Sequence, residues 1–158
     1  MILALSLGSC RRAAQKQAEK IRIEAVEQIT PKGLTSAEAV LRIANGSSYR
    51  LQLRTAEFTL CYQREPLLRL LLHEGFELEK RTTRSVATRW RIRIVDPLAL
   101  LLAGRDLQRS DASQMQVSYR LEGQGGPVPV NIAQEMVPLS EFLRIFGVTL
   151  DDVKDYLR

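Results

Sequence analysis

Between residues 21 and 132, apolar and polar positions alternate with a period of two, in short runs separated by turn-forming residues. This is the pattern of strands with one buried and one wet face. Residues 36–95 carry it most clearly. Leu41 and Ile43 flank Arg42, Asn45-Gly46-Ser47-Ser48 supplies a turn, and Leu51 and Leu53 alternate with Gln52 and Arg54. Phe58, Leu60 and Tyr62 then alternate with Glu57, Thr59 and Cys61. In 85–95, Val86, Thr88, Trp90, Ile92 and Ile94 share one phase while Arg89, Arg91 and Arg93 share the other.

The flanking segments extend this reading. Residues 21–29 open with Ile21, Ile23 and Ala25 in phase, and Val26 breaks the alternation, which predicts a bulge. The apolar run 66–72 and the short 76–78 read as further strands. Asp96-Pro97 reads as an N-cap and first-turn proline, with a helical turn or two over 98–103 closed by Gly104. Met115, Val117, Tyr119 and Leu121 predict another strand. A hairpin loop over 123–127 leads to a returning strand through Val128, Val130 and Ile132. The period then changes: Leu139, Phe142, Leu143 and Phe146 fall at i, i+3, i+4 and i+7, predicting a short amphipathic helix that stops at Gly147 and closes one end of the fold. A capping-box-like Thr149-Leu150-Asp151-Asp152 predicts a last helix over 150–157.

Length and composition narrow the class. At 158 residues the chain suits one domain with small extensions, and 45% hydrophobic with 26% charged residues is ordinary for a globular protein. About seven or eight short strands with regular turn signals predict an all-β sandwich with short C-terminal helices. The net charge of +5 suits an anionic partner such as a membrane surface. Two cysteines and one histidine are too few for a Cys/His zinc site of the usual spacing, so no metal or other cofactor is expected.

The first ten residues, Met1-Ile-Leu-Ala-Leu-Ser-Leu-Gly-Ser-Cys10, run from apolar to small to cysteine and are followed at once by Arg11-Arg12. Leu7-Gly8-Ser9-Cys10 resembles the lipobox of bacterial lipoproteins, in which the cysteine is acylated before cleavage. The usual charged n-region is not present, and the apolar core is short, so the true start is expected upstream. The competing reading is a short buried strand with Cys10 incidental. The lipobox reading divides the chain into a signal-peptide remnant (1–9), a polar tether (10–20), a sandwich (21–135) and a helical extension (136–158).

Two stretches then resemble a known family. Val40-Leu-Arg-Ile-Ala-Asn45, followed by 49–62, is similar to the strand, Asn-containing turn and aromatic-rich strand of the late embryogenesis abundant type 2 proteins, or WHy domain. Thr82-Thr83, the strand 85–95, the helical turn 97–104 and Tyr119-Arg-Leu-Glu-Gly123 follow the same family order. The family often has Asn-Pro where this chain has Asn45-Gly46. The resemblance implies an immunoglobulin- or fibronectin III-like sandwich associated with desiccation or stress, and it implies no catalytic residues.

The candidate chemistry is sparse. Arg89, Arg91 and Arg93, preceded by Arg81 and Arg84, form either an anion-binding surface or a solvated face with cross-strand partners such as Glu38 or Glu57. The aromatic residue within the arginine run, Trp90, falls on the opposite phase, so no aromatic shares the arginine phase in the manner of a nucleic-acid groove and no nucleic-acid partner is expected. His73 lacks a nucleophile and an orienting acid at recognisable spacing and reads as an exposed loop residue. Cys61 falls on the polar phase and reads as a partly covered free thiol; Trp90 and Tyr119 read as core. The expectation is a non-enzymatic, lipid-anchored envelope protein, most simply on the outer membrane facing the periplasm. Its partners would be the membrane, through lipid on Cys10, and anionic headgroups or an envelope protein. The alternative is an envelope adaptor or carrier for an apolar or anionic ligand.

Overall fold

The computed structural model describes residues 20–108 and 112–145, together with Thr149 and Asp151. Within them lie eight strands and two helices: β1 (Ile21–Pro31), β2 (Ser36–Asn45), β3 (Leu51–Tyr62), β4 (Glu65–Leu72), β5 (Phe76–Leu78), β6 (Thr82–Ile94), α1 (Pro97–Gln108), β7 (Met115–Gly125), β8 (Val128–Pro138) and α2 (Leu139–Ile145). The expected lipobox, most of the tether, the end of the amphipathic helix at Gly147 and the helix over 150–157 fall outside the described residues, apart from Lys20, Thr149 and Asp151.

All the strand pairings are antiparallel, in the order β1-β2-β6-β4-β3-β7-β8, with β5 on β3. A five-pair ladder, Leu68–Leu72 against Trp90–Ile94, joins β1-β2-β6 to β4-β3-β7-β8. The two halves face each other over Ile43 and Val86 from one, and Leu51 and Leu78 from the other. This is the all-β, sandwich-like fold that the alternation predicts. A second core, Leu67, Ala103, Met115, Val117 and Leu139, lies where α1 and α2 cover the inner phase of β4, β3 and β7. Phe58, Leu60 and Tyr62 pack on it, as do Ala99, Leu100, Phe142 and Leu143 from the helices. The amphipathic α2 thus closes one end of its own fold.

The edges carry expected devices. β1 shifts register between Ile23 and Ala25 and again between Val26 and Gln28, the irregularity that the broken alternation predicts. Proline falls on the outermost strands, at Pro31 in β1 and at Pro129 and Pro138 in β8, where a lost backbone donor leaves no gap in a central ladder. Pro66 pairs with Cys61 but lies before the part of β4 that meets β6.

Three predicted boundaries move. The Gly123–Pro127 segment is not a loop: β7 continues to Gly125, and Gly126-Pro127 turns the hairpin with Gly126 at φ 59°. Gly123 serves packing instead, since a Cβ there would sit 2.1 Å from the Gln52 carbonyl oxygen. β8 runs on past Ile132 to Pro138 through an irregularity at Met136, whose φ is 52° and whose N–H donates to Ser118 Oγ at 3.0 Å. α1 does not stop at Gly104. Asp96 caps it as predicted, accepting the Ala99 N–H at 3.0 Å, but the helix runs to Gln108, with Ala103 anchoring it on the second core.

Candidate anion-binding face

The alternation in β6 carries Arg89, Arg91 and Arg93 to the outward phase, and all three are exposed. Their neighbours differ. Arg89 lies opposite Glu38 of β2, and Arg89 Nε reaches Glu38 Oε1 at 3.7 Å. This is the solvated, cross-strand arrangement, and such exposed pairs contribute about 0–1 kcal/mol. Arg91 has Ser36 on one side and Leu71 on the other. Arg93 lies directly opposite Arg69 of β4. The other suggested partner, Glu57, stands further along the same face between Leu71 and Arg120. Among the described residues, Arg69, Arg91 and Arg93 have no ion-pair partner.

Sequence reasoning therefore finds two members of this cluster, includes one that is neutralised, and misses Arg69. The missing signal is pairing. Arg69 interrupts an apolar run, Leu67-Leu68-Arg69-Leu70-Leu71-Leu72. A lone charge in such a run marks the outward phase, but it does not say which strand lies alongside.

Beyond Arg69 this face continues with polar residues and a thiol, with Leu71 and Pro66 among them. Thr59 stands opposite Arg69, and Ser118 stands opposite Thr59. Cys61 is on this outward phase, as predicted, but it is 1% exposed instead of partly covered. Pro66 and Gln116 flank it in register, and Gln116 lies along the surface to accept the Arg64 N–H at 3.1 Å. Burial pushes the Cys61 thiol above its ordinary pKa; Glu65 adds to the effect and Arg69 opposes it.

On the inner phase, Trp90 is half-buried where a core position is predicted. Its β2 neighbour is Ala37, too small to cover an indole. The ring is instead held by a bond from Nε1 to Thr88 Oγ1 at 2.8 Å and by Phe58, 5.7 Å away between centroids. Phe58 continues the contact to Tyr119 and Phe142, so four rings run from β6 to α2. Burial, then Glu141, raise the Tyr119 pKa.

Two open surface depressions lie elsewhere. One, about 650 Å³, is lined by Arg50, Arg54, Arg84, Glu77 and Glu79 among others, and Arg50 is ion-paired to both glutamates. The second, about 440 Å³, includes Glu38, Glu74, Thr88 and Arg89. Neither is lined by Arg69, Arg91 or Arg93, all three of which are exposed on the sheet face. His73 is exposed, and its backbone N–H donates to the Arg89 carbonyl at 2.9 Å. Among the described residues, no three His, Cys, Asp or Glu side chains are grouped to hold a metal ion, and no helix is long and apolar enough to cross a membrane. No protein-family model matches the chain, and no curated protein matches it.

Proposed function

We propose that this chain is a non-enzymatic lipoprotein of the bacterial cell envelope, with a domain of the late embryogenesis abundant type 2 kind held at a membrane surface by lipid on Cys10. The observation that carries the reading is Leu7-Gly8-Ser9-Cys10 followed by Arg11-Arg12. The small residues suit a signal-peptidase pocket, and the acyl chains of a lipoprotein give stable attachment where a single chain would not. The family reading is supported by the strand, turn and helix order along 40–123 and by a sandwich-like fold in that region. Such a domain acts through its surface. For the adaptor or carrier alternative, an apolar ligand calls for a cavity between the two halves, where the facing residues are packed, with Leu78 at 1% and Ile43 at 4% exposure; an anionic ligand would instead use the arginine face.

The experiment is metabolic labelling with a palmitate analogue in a bacterial host, using the full reading frame. The wild type takes up label and sediments with membranes, and Cys10→Ser loses both properties. An unlabelled, soluble wild type overturns the proposal.

A further inference from the structure

We infer that Arg69, Arg91 and Arg93 form a docking face for an anionic phospholipid surface, with β6 lying along the membrane. Three observations lead there. First, Arg93 and Arg69 are directly opposed across the β6–β4 ladder, about 5 Å apart at Cα, and Arg91 follows at the ~7 Å strand repeat. Like charges opposed in this way destabilise a sheet unless a counter-charge intervenes. Second, among the described residues none of the three has a carboxylate partner, unlike Arg89 on the same strand; other arginines, such as Arg22, Arg54 and Arg105, are unpaired as well, and what sets these three apart is that they adjoin one another across one ladder. Third, all three side chains are exposed, and they line neither of the two surface depressions described above. A single small anion fits a concave site, whereas an open row of guanidinium groups fits a planar array of phosphates.

The inference rests on the membrane reading above for how the surface is met, and the chain path fits it. Lys20 enters beside Gly46, whose N–H it accepts at 2.9 Å, and Ile21, Asn45 and Thr82 lie side by side at the start of β6. Arg91 and Arg93 are therefore about 30–37 Å further along that strand. Cys10 is ten residues before Lys20, a reach of at most about 36 Å. A domain lying on its side brings the arginines to the headgroups within that reach.

The test uses the whole chain carrying Cys10→Ser, so that binding is measured without any lipid and fails or succeeds independently of acylation. Sedimentation with vesicles of phosphatidylglycerol and phosphatidylcholine is compared with phosphatidylcholine alone. The expected result is binding to the anionic vesicles at low salt that falls as salt rises. Each Arg→Gln at 69, 91 and 93 weakens it about fivefold, and the triple variant roughly a hundredfold. A control of equal charge, Arg22→Gln/Arg54→Gln/Arg105→Gln, stays within a few-fold of wild type. The triple variant also melts at or above the wild-type temperature, because it relieves the Arg69–Arg93 opposition, so a folding defect does not mimic lost binding. Equal losses in the control overturn the face in favour of net charge alone. Unchanged binding by the triple variant, or no binding by the parent chain at low salt, overturns it outright. Release by inorganic phosphate beyond that by chloride at equal ionic strength overturns the planar-surface reading in favour of a single-anion site.

Discussion

Asn45 shows how much a single side chain contributes where the sequence suggests only a turn. It is 1% exposed, and its Nδ2 donates to the carbonyls of Tyr49, Leu78 and Glu79 at 2.9, 3.3 and 3.1 Å. Its Oδ1 accepts from the Ser47 N–H and hydroxyl at 3.1 and 2.6 Å. One amide thus ties the β2–β3 turn to the end of β5. Asn45→Ala leaves several buried polar groups unpaired and is expected to cost about 3–5 kcal/mol in urea unfolding. Asn45→Asp is expected to be no better, because a carboxylate cannot donate to three carbonyls. The turn was legible in Asn-Gly-Ser-Ser, but the buried network was not, because its acceptors at 78 and 79 are over thirty positions away. Cys61 makes a second residue-scale prediction. Its raised pKa keeps the folded thiol neutral where an unfolded thiol, with an ordinary pKa near 8.5, has begun to ionise. Below that value both states carry the proton and the thiol adds no pH dependence. Above it the unfolded state binds fewer protons, so stability falls as pH rises toward the folded pKa. Melts between pH 8 and 10 should show a downward slope that is shallower in Cys61→Ala, and a disulfide reagent should reach Cys61 only on unfolding.

At the scale of elements, strand existence and phase were legible because the period-two pattern reports one wet face directly. Lengths were not, where glycine does something other than turn the chain. Gly123 is set by its approach to the Gln52 carbonyl, and Gly104 is simply carried on an exposed face of α1. The β3–β4 hairpin had no turn signature at all. Its loop is Gln63-Arg64, with φ of 51° and 70°, conformations that a two-residue primed turn requires and that Asn-Gly adopts far more easily. Replacing Gln63-Arg64 by Asn-Gly is therefore expected to stabilise the fold by about 1 kcal/mol, read as a higher urea midpoint with an unchanged m-value. Gly123→Ala is expected to do the opposite by about 3 kcal/mol or more, since its new methyl meets backbone on a neighbouring strand. The arginine face divides in the same way. The outward row of β6 follows from its own sequence, whereas the contribution of Arg69 and the neutralisation of Arg89 depend on which strands lie on either side.

For the whole molecule, strand order is the part that local pattern leaves open, since many orders satisfy the same alternation. The observed order separates the core into two clusters, one between the halves of the sandwich and one beneath the helices. These clusters are physically connected. β3 supplies Leu51 to the first, and Phe58, Leu60 and Tyr62 pack on the second, so neither can open without disturbing the same central strand. β7 pairs with β3 along both regions, from Leu51 opposite Gly125 to Tyr62 opposite Met115. Trp90 sits at the junction, in the ladder that joins β6 to β4, and contacts Phe58. The described domain is therefore expected to unfold as one cooperative unit, with Trp90 fluorescence and far-UV circular dichroism giving the same urea midpoint. Leu78→Ala in the first cluster and Leu67→Ala in the second, at 1% and 0% exposure, should each cost about 2–5 kcal/mol and move both signals together. Trp90→Ala, half-buried, should cost about 3 kcal/mol and leave a folded protein by circular dichroism. Two separate midpoints, with Leu78→Ala shifting one and Leu67→Ala the other, would show instead that the helix-covered end folds independently of the sandwich.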